Sequence, residues 1–200
     1  MPDAADRPYH HGDLKRAVID TAMAMLHEDR GWQFTLREIA RRAGVSHAAP
    51  YKHFADKSSL LAEMALIGFD RLRAALTPDE AKPADALRDA FFTMARAYIR
   101  FATTNPGLYR LMFSADAGKP ADVHLDERAL AACEPLIELL ERGQAEGALR
   151  RREVRGQMAA CWGQMHGLAL LTIDGILLPE KVGADALDNA LMTLLEGLEA

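Results

Sequence analysis

Between Gly31 and Lys57, residues that stop or start helices recur so closely that only short helices in tight succession can form there. Thr35 has Glu38 three residues on, the reciprocal spacing in which a hydroxyl caps one backbone N–H and a carboxylate caps another. Leu36, Ile39 and Ala40 supply the inner face of the helix so opened, and Gly44 stands where a left-handed turn would end it. Ser46 is placed to cap a third helix over about 46–53, and Asp56 a fourth over about 56–76. Ahead of these, Leu14, Val18, Ala22, Met25 and Leu26 recur at helical spacing over about 13–29, closed by Gly31. Trp32 and Phe34 then read as aromatics that plug the local core. Pro50 is the anomaly. Counted from a Ser46 cap it holds the fourth helical position and removes a backbone hydrogen bond, so that helix either begins later or tilts.

The remainder is also helical in period, with no alternating strand pattern and no repeat. Thr77-Pro78-Asp79-Glu80-Ala81-Lys82-Pro83 reads as a linker, with two prolines among charges. Helices follow over about 83–104, 106–113, 124–146, 153–174 and 184–198; Pro135 is expected to kink or split the third of these, and Pro179 keeps the fourth from resuming. The expected class is all-α with about nine helices. A three-helix unit occupies residues 1–60, the helix over 56–76 connects, and a helical bundle fills 77–200.

Half of the 200 residues are apolar, enough for a core. The net charge of −5 argues against a chain that coats nucleic acid indiscriminately, but the charge is uneven. Residues 7–60 hold nine Lys or Arg against six Asp or Glu, so this window carries +3 and the remainder −8. It also holds His10, His11, His27, His47 and His53, five of the seven histidines. Asp174 interrupts the longest apolar run and the first residues lack a secretory signal, so a soluble cytoplasmic protein is expected. Cys133 and Cys161 lack the spacing of a metal knuckle or redox pair and read as reduced structural thiols. No metal or cofactor is expected.

Two short helices joined by a glycine turn set the second across the first, leaving its outer face free to enter a DNA major groove. Such a helix-turn-helix fits 35–54: Gly44 permits the turn, Val45 plugs the corner, and Tyr51 and Phe54 follow. An ordinary helical hairpin would show much of the same pattern. Lys57 opens a helix where the macrodipole is positive, a position unfavourable to a cation by about 0.3–1 kcal/mol unless an anion lies there too. A phosphate would reverse that sign; a merely solvated lysine is the plainer reading. Arg41 and Arg42 can reach phosphate or simply complement the dipole at their helix end.

The run 35–61, from Thr35-Leu36-Arg37-Glu38-Ile39-Ala40 through Gly44 to Tyr51-Lys52-His53-Phe54 and Lys57, resembles the DNA-binding signature of the TetR family of transcriptional regulators. Tyr9-His10-His11-Gly12-Asp13-Leu14 and Trp162-Gly163-Gln164-Met165-His166-Gly167 resemble the subgroup whose C-terminal part is called the WHG domain. The resemblance covers about 70 residues tightly and the rest by helix layout and length. It implies a ligand-responsive repressor that binds a palindromic operator as a homodimer and is released by a small amphipathic effector. It also implies that Thr35, Tyr51, His53 and Lys57 hold phosphates, with Arg42 and Lys52 beside them, while Ser46, His47, Ala48 and Ala49 face bases. Small Ala48 and Ala49 would let the helix seat deeply, and His47 is the long side chain of the base-facing set.

In the second unit, Gly156, Ala160, Gly163 and Gly167 form a groove of small residues on the helix over 153–174. Leu187, Leu191, Leu194, Leu195 and Leu198 make an apolar stripe on the last helix, expected to pack on that groove and on a second copy in a symmetric four-helix interface. The middle helices carry more aromatic and Met side chains than a small bundle needs. These are either core or a pocket lined by Phe92, Tyr98, Phe101, Met112, Met158, Trp162 and His166. His166 serves there either as a satisfied structural histidine or as the polar anchor of an effector. Two rival readings are a helical ligand- or protein-binding module without specific DNA binding, and an enzyme using His166 with Cys161 or Asp174. The enzyme fits poorly, because residues 161 and 166 lie about 140° apart around a helix.

Overall fold

The computed structural model describes residues 11–28, 31–77, 86–118 and 120–200. The arm before residue 11 and the expected linker beyond Thr77 lie outside the described residues. The elements are α1 (His11–Leu26), α2 (Leu36–Arg42), α3 (Lys57–Leu76), α4 (Leu87–Thr104), α5 (Pro106–Met112), α6 (Pro120–His124), α7 (Glu127–Ala131), α8 (Glu134–Ala145), α9 (Val154–Ile173), α10 (Pro179–Val182) and α11 (Ala186–Leu198). Among the described residues there is no strand, only an isolated bridge between Leu149 and Glu199.

The caps expected at Thr35 and Asp56 form, whereas Ser46 caps no helix. The Thr35 hydroxyl accepts the Glu38 N–H at 3.2 Å, and the Glu38 carboxylate accepts the Thr35 N–H at 2.7 Å. At α3 the Asp56 carboxylate accepts the Ser59 N–H at 2.8 Å, and the Ser59 hydroxyl accepts the Asp56 N–H at 3.2 Å. The helix expected over 124–146 is divided into α7 and α8, with α6 ending at His124 ahead of them; Pro135 sits in the first turn of α8, where a missing N–H costs nothing.

The third helix is the main correction. Residues 46–53 form successive short turns, closed from Ala49 N–H to the Ser46 carbonyl at 2.9 Å and from His53 N–H to that of Pro50 at 3.0 Å, with a 3₁₀ turn over Pro50–Lys52. Pro50 has no N–H to donate and its ring crowds the carbonyl four residues back, so the chain tightens to three-residue bonding.

Gly44 joins α2 to this segment at a φ of +69°. A side chain there would have open space around it, so the backbone angle alone opposes substitution. Gly44→Ala is therefore expected to lower unfolding free energy by about 1–2 kcal/mol, read as a shift of the urea midpoint without a change of slope.

Helix α3 is the shared strut, packing against α1, α4, α5, α7 and α8. Its buried face runs through Leu60, Leu61, Met64, Ala65, Phe69, Leu72 and Leu76. Helix α5 is pressed between α3 and the end of α1. A Cβ on Gly68 would lie 2.6 Å from the Met112 Sδ, and one on Gly107 would lie 2.6 Å from the Leu26 carbonyl oxygen. These contacts place one short helix against both the N-terminal unit and the strut leading away from it.

Candidate functional site

Beyond the Gly44 turn, Ser46, His47, Ala48, Tyr51 and Lys52 are exposed, while Pro50 and Phe54 turn inward and hold the segment to the core. Ala49 is 5% exposed and packs inward with them, so the expectation that it faces bases is overturned. It follows from the loss of helical period at Pro50, which rotates residue 49 off the outer face. Lys57 is half-buried at the start of α3, its ammonium 5.6 Å from the centre of the Phe34 ring. Three further residues are paired or enclosed within the protein. The Thr35 hydroxyl serves the capping box, Arg42 pairs with Glu28 at 2.6 Å, and the His53 Nε2 is enclosed without a hydrogen-bond partner.

A cavity of about 510 Å³ lies inside the C-terminal bundle. Of the seven side chains expected to line a pocket, Tyr98, Met158, Trp162 and His166 do so. Phe92, Phe101 and Met112 do not. Phe92 lies under the Arg96 guanidinium at 5.4 Å, Phe101 is buried in the core, and Met112 faces Gly68 on α3. The sequence reading missed Phe69, Leu72 and Leu76 of α3, His124 of α6 and Cys133, Leu136 and Met165, all of which line the cavity. A helical period marks these as inward-facing but cannot say which inward space they reach.

One polar chain runs through this wall. The Tyr98 and Tyr109 hydroxyls are 2.8 Å apart, and the Tyr109 hydroxyl is 2.7 Å from the His166 Nδ1. Burial pushes the Tyr98 phenol up to about 12; it raises Tyr109 as well, with the neighbouring Tyr98 adding to the effect. Burial also holds the imidazoles of His124 and His166 below their ordinary value of 6.5. Both histidines contact the Phe113 ring, His166 edge-on at 4.5 Å and His124 stacked at 5.7 Å. Cys161 is fully enclosed and its thiol is pushed up to about 11, the opposite of an activated nucleophile.

The lowered imidazoles have a consequence for stability. The unfolded chain takes up these protons first as pH falls through 6.5, so their contribution is complete above that value and lost progressively below it. The melting temperature is expected to drop between about pH 8 and about pH 5, and to drop less in His166→Gln. Parallel wild-type and variant melting curves across that range would remove His166 from the account.

Helices α9 and α11 differ from expectation. Leu191, Leu195 and Leu198 are buried inside the protomer, while Leu187 and Leu194 are half-buried. The first three are therefore not interface residues: α11 turns them onto its own bundle, and Gln164 of α9 donates to the Ala190 carbonyl at 2.6 Å. The small residues are left uncovered. Gly156, Ala160 and Gly163 are exposed, and a Cβ on Gly163 or Gly167 would meet nothing within 4 Å. Leu171 on the same helix, with Ile176 and Leu178 beyond it, adds exposed apolar surface.

A glycine-hinged pair of segments presenting polar side chains outward, joined through α3 to a bundle that holds a cavity, is the arrangement expected of a helix-turn-helix transcriptional regulator. Residues 18–64 match the model of the bacterial regulatory proteins of the tetR family, and residues 91–196 that of the tetracyclin repressor-like C-terminal domain. The chain belongs to the TetR family of transcriptional regulators. It is 32% identical to a Rhodococcus sp. RHA1 protein of unknown function whose solved structure superposes at a TM-score of 0.82, covering 98% of this chain and all of that one. A TetR-family regulator structure from Vibrio parahaemolyticus shares the fold at a TM-score of 0.71 and 18% identity, over 94% of this chain and all of that one. The HTH-type regulator YobS of Bacillus subtilis is 22% identical over 94% of this chain and 93% of its own length. An HTH-type regulator of Haemophilus influenzae is 29% identical, but over about half of each chain, 52% of this one and 51% of that one.

Proposed function

We propose that the protein is a ligand-responsive repressor that binds a palindromic operator in the cytoplasm as a homodimer and leaves it when a small, mainly apolar effector occupies the C-terminal cavity. The observation that carries this reading is the cavity itself: α3 opens with Lys57 beside the exposed turn and ends with Leu76 in the cavity wall. One rigid element thus touches both places. In this reading residues 1–60 are the DNA-binding unit, α3 connects, and residues 77–200 sense and dimerise.

Ser46, His47 and Ala48 face bases, while Tyr51, Lys52 and Lys57 hold phosphates. Thr35 and Arg42 add to the phosphate set by exchanging or supplementing the internal partners described above, and His53 adds to it through a ring nitrogen that has no partner inside the protein. The dimer forms through the uncovered small-residue face of α9 with Leu187 and Leu194 of α11, and two recognition segments then meet two half-sites together. An effector that prefers the geometry mismatched to the operator shifts the population by a coupling of about 1–3 kcal/mol. Selection of bound fragments from a random DNA pool tests the reading. A palindromic consensus supports it; enrichment no better than background at low salt, without ligand, favours a helical binding module that does not read DNA.

A further inference from the structure

The hydrogen bonds behind the cavity run in one direction. Among the described residues the Tyr98 hydroxyl has the Tyr109 hydroxyl as its one hydrogen-bond partner. The Tyr98 proton then goes to the Tyr109 oxygen at 2.8 Å, and the Tyr109 proton to the His166 Nδ1 at 2.7 Å. The reverse order would strand the Tyr98 proton. Both phenols are almost completely enclosed, at 3% and 0% exposure, so a stranded Tyr98 proton would have no partner among the described residues. With Nδ1 accepting, the neutral imidazole carries its hydrogen on Nε2.

The rest of the wall restricts what that N–H can meet. Among the described residues lining the cavity there is no Asp, Glu, Lys or Arg, so an ionic ligand would meet no counter-ion among them. Phe69, Phe113, Trp162 and His124 add flat aromatic surface, and Leu72, Leu136, Met94, Met158 and Met165 add apolar surface. The volume of about 510 Å³ suits a small organic molecule.

Resting on the reading of this cavity as the effector site, we propose that it takes an uncharged, flat apolar molecule bearing a hydrogen-bond acceptor such as a ketone or ester oxygen, selected by the His166 imidazole N–H. Tyr98 and Tyr109 are positioning residues that hold that imidazole as a donor.

The test is calorimetric titration of the full-length protein with four probes on one frame: methyl 2-naphthyl ketone, 2-ethylnaphthalene, 2-naphthoate and 2-naphthylmethylammonium. The ketone is expected to bind about tenfold tighter than the hydrocarbon, and both ions at least about tenfold more weakly than the hydrocarbon. Tyr109→Phe keeps the buried ring and should leave hydrocarbon affinity intact while the ketone preference falls to near parity; Tyr98→Phe gives the same readout should the first variant fail to fold. A hydrocarbon that matches the ketone, or an ion that binds tightest, overturns the donor assignment while the effector reading stands. Ketone preference unchanged in the folded phenylalanine variants overturns the relay. Failure of all four probes to bind overturns both the proposal and the cavity's role as effector site.

Discussion

Gly163→Arg is expected to sediment as a monomer and to lose about 10²–10⁴-fold in operator affinity while keeping its helical content. The expectation follows from what surrounds the residue. A Cβ on Gly163 meets nothing within 4 Å, so the protomer accommodates the arginine without rearrangement. A second α9 laid against the same face cannot accommodate it, because a long charged side chain would stand in the groove that allows close approach. Leu195→Ala provides the contrast. Leu195 is 1% exposed within the protomer, so its truncation should cost about 2–5 kcal/mol of stability, as for other buried leucines, without directly altering the surface of the partner contact. Sedimentation velocity with anisotropy on labelled operator reads both effects. A dimeric Gly163→Arg protein with full affinity would put the interface elsewhere.

Trp162→Ala should abolish the effector response while operator affinity without effector stays close to that of the parent. In the parent, a coupling of about 1–3 kcal/mol corresponds to an affinity change of about 5- to 150-fold, and the variant should show a ratio near one. Trp162 is 40% exposed at the cavity, so its removal opens little void in the core. It does remove aromatic wall from the cavity and the ring that lies beside His166. Equal loss of operator affinity and of response would assign Trp162 to the structure instead.

Features governed by neighbours within a turn or two were readable before any coordinates existed. The capping box of Thr35 and Glu38, the Asp56 cap, the left-handed Gly44 and the break at Pro135 all formed where expected. Pro50 was visible as an anomaly too, but its outcome was not. Whether the chain would begin its helix later or tilt depended on Ala49 and Pro50 finding a place in the core, which they did at the expense of the α-helix.

Assignment of inward faces to particular spaces was not readable. The five leucines of α11 form one apolar stripe in the sequence, yet the fold buries three of them and leaves Leu187 and Leu194 half-buried at its margin. Likewise Phe101 and Met112 are as apolar as Phe69 and Met165, but the first two pack solid core and the last two line the cavity.

The caps at Thr35 and Asp56, the break at Pro135 and the turn at Gly44 thus came from residues a few positions apart, whose preferences act along the backbone regardless of the rest of the chain. The cavity, the uncovered face of α9 and the contact of Tyr109 with His166, 57 residues away, came from which helices meet and at what rotation. That choice is made by the summed packing of all the apolar faces at once, and no local pattern carries it.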